Sequence, residues 1–128
     1  MKHFSRTWKS STRPSKQRKY RITAPLHLKQ KLMRAHLAKP LRDKYHHRAL
    51  GLKKGDKVKV MRGTFHGKEG AIDHINLKAG KAFIAGIETA KKDGSKAMIP
   101  LEPSNLMIIE LNNIDKMRQK ALERKHHA

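Results

Sequence analysis

The chain has 128 residues, room for one small domain with extensions rather than two full domains. It carries 31 Lys and Arg against 10 Asp and Glu, a formal charge of +21 with neutral histidine, while hydrophobic residues make up 37% and aromatics 5%. So much charge on so little apolar material argues against a self-sufficient soluble enzyme and for an anionic partner, and zero cysteines exclude disulfides and thiolate metal sites.

The longest all-apolar run, Leu106-Met107-Ile108-Ile109, falls far short of the roughly 20 residues that cross a bilayer. The first six residues lack the apolar stretch of a secretory signal, so no membrane insertion is expected. The charge is uneven. Residues 1–50 hold 15 Lys and Arg and a single acid, Asp43; residues 51–113 hold 11 and 7; residues 114–128 hold 5 and 2. This pattern divides the chain into a basic extension and helix (1–50), a β module (51–112) and a C-terminal helix or tail (113–128).

Residues 1–22 read as an extended tail, disordered when free, because little apolar surface is there to offset ordering entropy. Its cations Arg6, Lys9, Arg13, Lys16, Arg18, Lys19 and Arg21 are interleaved with Phe4, Trp8 and Tyr20. That mixture suits RNA: cations meet phosphates, while aromatics and guanidinium planes stack on bases. The plainer alternative is a solvated tail with incidental aromatics. A helix is predicted from Thr23, as N-cap, through Pro25 in the first turn to Ala38, with Pro40 ending it. Leu26, Met33 and Leu37 fall on one side of its wheel, and Leu28, Leu32 and Ala35 nearly opposite. Lys29, Lys31 and Arg34 lie between as further RNA contacts. Two apolar ridges suggest a helix wedged between protein and a second surface. A short turn follows at Leu41–Tyr45.

The period then changes. Lys57–Val60 alternates as a half-buried strand does. Further strands are predicted at Ala71–Ile75, Lys81–Ile87, Ala97–Leu101 and Leu106–Leu111, with a hairpin signal at Asp93-Gly94. Five short strands with Gly-rich turns fit a small barrel or sandwich. Its inward residues would be Val58, Val60, Ile72, Ile75, Ile84, Ile87, Met98, Leu101, Leu106 and Ile108. The end reads as a helix over 113–128, with Asp115 at its start. Only Met117, Ala121 and Leu122 are apolar there, so weak docking is expected.

The most distinctive segment runs from Lys54 to Ile72. Two strands flank a loop containing Gly63 and Gly67, with Arg62, His66 and Lys68 at its tip, Gly70 beyond it, and Lys53 and Lys54 ahead. Glycines let backbone approach a partner, and exposed N–H groups and cations then meet phosphate oxygens. An ordinary hairpin needing flexible residues is the structural alternative. Other constellations are weaker. His46-His47 and His126-His127 point to different sides and lack a completing ligand set, so no metal is expected. Asp56, Glu69 and Asp73 read as charge balance for nearby lysines rather than an acid–base pair. Ser10-Ser11-Thr12 has no base partner.

The run Gly55–Ile72 resembles a KOW motif, found in ribosomal proteins and transcription elongation factors. Ser15–Lys19, Ala24-Pro25-Leu26, Leu41–Tyr45, Ile99–Leu106 and Leu122–Lys125 extend the likeness across nearly the whole chain. Together they are similar to the large-subunit ribosomal protein family numbered twenty-four, twenty-six in eukaryotes, in its archaeal-like form. The resemblance implies a mainly β fold: a small five-stranded SH3-like barrel flanked by a basic N-terminal arm and helix and by a C-terminal helix. It implies binding to large-subunit rRNA near the nascent-peptide exit tunnel, help in subunit assembly, neighbouring ribosomal proteins as partners, a cytoplasmic location, and neither cofactor nor small-molecule substrate. Arg62, Gly63, Gly67, Lys68 and Gly70 would form the RNA-facing loop, with His66 where a Lys is common. Lys16, Arg18, Lys19 and Arg21 would be a threaded basic segment. The competing reading is a KOW-bearing transcription elongation or antitermination factor. Such proteins carry a separate α/β domain ahead of the motif, and residues 1–50 are too basic and irregular for one.

Overall fold

The computed structural model describes residues 3–112 and 114–124. It is mostly sheet, with four helices among the described residues. The arm is helical, not extended. A 3-10 turn, Arg6–Ser10, leads into helix α1, Pro14–Thr23, with Pro14 in the first turn where its missing N–H costs nothing. Gln17 clasps the two pieces: its Nε2 donates to the carbonyls of Trp8 (3.0 Å), Lys9 (3.2 Å) and Ser11 (2.6 Å). No residue of either piece is buried. Thr23 is the last residue of α1 rather than an N-cap.

The long helix expected over 23–38 is two elements. Helix α2 spans Leu26–Leu32, and strand β1 follows at Arg34–Leu37. Met33, Ala35 and Leu37 are all buried, at every second residue, which is the period of a strand. Each apparent ridge joined leucines of α2 to buried positions of this extended segment, Leu26 to Met33 and Leu37 on one side and Leu28 and Leu32 to Ala35 on the other. Pro40 starts a helix instead of stopping one: α3 spans Lys39–Tyr45 with Pro40 in its first turn, and His46 ends it in the left-handed region, φ 56°.

Strands β2 (Ala49–Gly51), β3 (Lys57–Val60), β4 (Glu69–Asn76) and β5 (Lys81–Ile84) follow. Then come β6 (Glu88–Ala90), β7 (Lys96–Met98) and β8 (Leu106–Glu110). Six strands form one sheet in the order β2-β1-β8-β3-β4-β5, and β6 and β7 pair separately as a hairpin. All pairings are antiparallel except β1 with β8, in register His36–Met107 and Leu37–Ile108. The hydrogen-bonded order does not close on itself. The third expected strand stops at Ile84, short of Ile87. The fourth is shorter than 97–101, with Leu101 meeting Ala82 as an isolated bridge. Strand β2 straddles the expected division between residues 50 and 51.

Of the expected inward residues, Val58, Val60, Ile72, Ile84, Ile87, Leu106 and Ile108 are buried. Ile75 and Leu101 pack against that core only partly buried, and Met98 is half-buried. Met33, Ala35, Leu37, Leu50, Leu52, Ala82 and Leu122 complete the cluster. Half of it therefore comes from residues outside the expected inward set, most of them on segments whose strands or docking the sequence pattern hides.

Helix α4, Lys116–Glu123, is docked by more than its few apolar residues. Asp115 caps it by accepting from the Arg118 N–H at 2.8 Å. Arg118 turns inward and meets Asp56 in a two-pronged pair, Nη1 to Oδ1 at 2.8 Å and Nη2 to Oδ2 at 2.5 Å. Both side chains are essentially shielded from water, at 3% and 0% exposure. The Asp56 carboxylate also accepts from the backbone N–H of Lys53 (3.0 Å) and Asn112 (3.3 Å), and Arg118 Nη2 donates to the Gly51 carbonyl at 3.2 Å. Asp56 is thus balanced by an arginine 62 positions away, inside the protein, and not by a surface lysine.

Removing one partner of such a pair leaves a buried charge uncompensated, at about 3–5 kcal/mol. For a small domain of roughly 5–15 kcal/mol total stability, Asp56→Ala should move the denaturant midpoint substantially. The double change Asp56→Leu with Arg118→Met should recover only part, because the Lys53 and Asn112 amides stay unsatisfied. Equal stability of Asp56→Ala and the parent in urea would refute this.

Asp115 gives a pH test. Its hydrogen bond from Lys53, then that from the Arg118 N–H, hold its carboxyl below the ordinary value of 3.8. A depressed folded-state pKa contributes stability that is complete above 3.8 and lost as pH falls through the lower folded value. Hydrogen exchange of α4 amides should therefore quicken on acidification in that window, and this acid limb should flatten in Asp115→Asn.

Candidate nucleic-acid interface

The charge is sorted by structure as well as by sequence. Among the described residues, the ion pairs draw on Lys53, Lys57, Lys59, Lys81, Lys96 and Arg118. No described Lys or Arg of residues 3–50 stands in one. Glu69 is matched by Lys59 at 3.7 Å, and Asp73 by the His74 ring at 2.9 Å rather than by a lysine. Glu69, Glu88, Glu102 and Glu110 of the β module are paired with its own lysines, Asp56 is paired by Arg118 of α4 and Asp93 is held by Ser95, while the described cations of the arm, α2 and β1 stand in no ion pair.

The arm's aromatics fold against its own side chains. Phe4 and Tyr20 rings lie 5.4 Å apart, and the ammonium groups of Lys16 and Lys19 stand 5.2 and 5.9 Å from the centroid of Trp8. Arg6, Lys9, Arg13, Arg18, Lys19 and Arg21 are exposed around this small unit. Arg18 and Arg21, three residues apart, share one face of α1.

Helix α2 separates two clefts. On one side Arg18, Arg21, Lys29 and Lys78 rim a cleft of about 280 Å³. On the other, Lys31, Arg34, Arg48 and Arg124 line a wider groove of about 630 Å³. Among the described residues no carboxylate lines either one. The chain thus sends Lys29 to one side and Lys31 to the other. Lys78, Arg48 and Arg124 were not singled out by sequence. The β4–β5 turn brings Lys78 to Lys29, and the pairing of β1 with β2 and the docking of α4 bring Arg48 and Arg124 to Lys31 and Arg34.

The β3–β4 loop stands apart from both clefts. Arg62, His66 and Lys68 are exposed on it. The Val60 N–H donates to the Lys68 carbonyl and the Gly67 N–H to the Val60 carbonyl, both at 2.9 Å, closing the loop's neck. Gly63 and Gly67 hold φ of +99° and +83°, and an added Cβ at either would meet nothing within 4 Å, so backbone conformation alone demands glycine there. The Lys68 ammonium rests 5.1 Å from the centroid of Phe65. Gly70 differs. It lies in β4 opposite Val58, where a Cβ would come 2.7 Å from Ile84 Cγ2 and 2.8 Å from the Ala85 carbonyl oxygen. Packing of the sheet, rather than approach of a ligand, requires its missing side chain.

Lys53 is engaged with Asp115, whereas Lys54 is exposed beside it. Among the described residues no group of three or more His, Cys, Asp or Glu could hold a metal, and no helix is long and apolar enough to cross a membrane. His47 Nε2 donates to the Leu122 carbonyl at 3.0 Å, tying the end of α3 to α4. His126 and His127 lie outside the described residues.

Residues 11–125 match the family of ribosomal proteins described as L26 in eukaryotes, with its archaeal counterpart numbered twenty-four. The chain is 40% identical over 115 residues to the large ribosomal subunit protein uL24 of Methanosphaera stadtmanae, covering 90% of this chain and 98% of that one.

The two kinds of glycine separate by stability. Gly70→Ala forces a methyl into occupied space and should cost about 1–3 kcal/mol as overpacking does. Gly63→Ala meets no atom and should cost only the strain of a positive φ, about 1–2 kcal/mol. Thermal unfolding should show the larger drop for Gly70→Ala, and the reverse order would contradict this assignment.

Proposed function

Because the chain belongs to this ribosomal protein family, whose members are constituents of the cytoplasmic large ribosomal subunit rather than enzymes, we propose that it binds large-subunit rRNA directly, aids subunit assembly and sits near the nascent-peptide exit tunnel. The observation that carries the rRNA reading is the sorting of charge. Every ion pair among the described residues draws its cation from residue 53 or beyond, so all the described Lys and Arg of residues 3–50 stay outside them, joined by Lys54, Arg62 and Lys68 of the β module. Exposed cations without counter-charges repel one another until a polyanion releases that tension along with its own counterions.

Binding, not reaction, is the mechanism. The arm, the two clefts beside α2 and the β3–β4 loop each offer donors to phosphate oxygens, and together they screen RNA segments that repel when packed. Arg6, Trp8, Lys9, Arg13, Lys16, Arg18, Lys19 and Arg21 act from the arm, Lys29, Lys31 and Arg34 from α2 and β1. Lys53, Lys54, Arg62, His66 and Lys68, with the backbone at Gly63 and Gly67, act from the β module. Specificity on this reading comes from RNA shape and splayed bases rather than from duplex sequence. The same proposal includes an SH3-like barrel built from β3, β4, β5, β7 and β8. The Ala82–Leu101 bridge and the Ile99 N–H to Ile87 carbonyl bond, 3.2 Å, support it by drawing the later strands onto β5.

Affinity for an rRNA fragment should fall steeply with salt, by about three to five decades between roughly 50 and 200 mM for about 6–10 phosphate contacts. A flat response in filter binding would sink the proposal. Deleting residues 1–22 should weaken binding far more than it shifts unfolding, since none of the described residues of that segment is in the buried core.

A further inference from the structure

The cleft between α1, α2 and the β4–β5 turn is more than a patch of charge. Its rim carries Arg18 and Arg21 from α1, Lys29 from α2 and Lys78 from the turn. Its floor is apolar. Ile22, one residue beyond Arg21, is 60% exposed, and Leu32, on the Lys29 face of α2, is 47% exposed. A lone exposed aliphatic side chain is ordinary, but these two border the same cavity and so form a shared apolar patch. The walls are fixed to each other: Lys29 Nζ donates to the Lys78 carbonyl at 3.2 Å, spanning 49 positions of sequence. Two further N–H donors of that ammonium remain for a ligand.

We propose that this cleft captures a single unstacked RNA nucleotide, its base on the Ile22–Leu32 floor and its flanking phosphates on the four cations. The inference rests on the rRNA-binding reading above and names what one part of that surface takes. Size, charge and polarity select the ligand. A volume of about 280 Å³ lies near the roughly 300 Å³ at which small-ligand sites begin, enough for one base and its sugar. Four cations and no lining carboxylate favour an anion. An apolar floor adds nothing to a bare phosphate but favours a planar base, on which the Arg18 or Arg21 guanidinium can also stack. A duplex offers no base to a concave site, so the nucleotide must come from a loop, bulge or single strand.

The test uses the full chain with its own large-subunit rRNA. Ultraviolet crosslinking followed by mass spectrometry should find nucleotide adducts on peptides covering residues 18–33 or 77–80. Ile22→Ser combined with Leu32→Ser alters only exposed positions. It should weaken binding about tenfold with the salt slope unchanged, as removal of an apolar surface does. Arg18→Gln with Arg21→Gln should instead lower the slope by about 1.4, about 0.7 for each single-strand phosphate no longer neutralised. Wild-type binding with no adduct on those peptides, or a crosslink there to a protein neighbour in whole subunits, overturns the nucleotide site alone. So does a floor variant that binds like the parent. Failure of the wild-type chain to bind rRNA at all overturns the proposed function, and this inference with it.

Discussion

The fold turns on one carboxylate. Asp56 sits where the β2–β3 turn, the end of β8 and α4 converge, and it accepts two backbone N–H groups and both prongs of Arg118. Burying a charge is costly unless it is paired and fully hydrogen-bonded, and here both conditions are met. The pair fixes the C-terminal helix on a module whose own apolar content is modest. It also consumes an acid and a cation internally. With the surface pairs beyond residue 52, it draws on none of the described cations of residues 3–50, which all stay outside the ion pairs.

Strands β3, β4, β5, β7 and β8 were legible in outline because alternation and Gly-rich turns are local signals, whereas the short β6, Glu88–Ala90, was not expected. Nor was strand β1. It begins two residues after α2 ends, so Leu26, Leu28 and Leu32 on helical spacing run straight into Met33, Ala35 and Leu37 on strand spacing. Four residues are too few to announce a change of period, and the partner that fixes it, β8, lies far along the chain, with His36 paired to Met107. The docking of α4 was hidden for a similar reason. Its anchor is a charged residue, Arg118, that composition assigns to the surface. Helicity in the arm was missed because it depends on Gln17 bonding to three carbonyls, a contact no apolar pattern records.

The interface was legible in parts and assembled only by the fold. The family was readable from motifs spread over nearly the whole chain, and most cations of the surface were named by charge density alone. Gly70 shows the limit of reading a loop by its glycines: Gly63 and Gly67 serve backbone conformation, whereas Gly70 serves packing against Ile84. Lys78, Arg48 and Arg124 show the complementary limit. Each is ordinary in its own segment and becomes part of a cationic rim only through strand pairing and helix docking between distant parts of the chain.

The order of strands has a consequence for biosynthesis. Strand β8 lies between β1 and β3, yet it is the last strand to be made. Until residues 106–110 leave the machinery that makes them, β1–β2 and β3–β4–β5 are separate pieces with no shared ladder. The polypeptide must therefore emerge as an open, positively charged thread and shut late, when its final strand slots into the gap between two waiting halves.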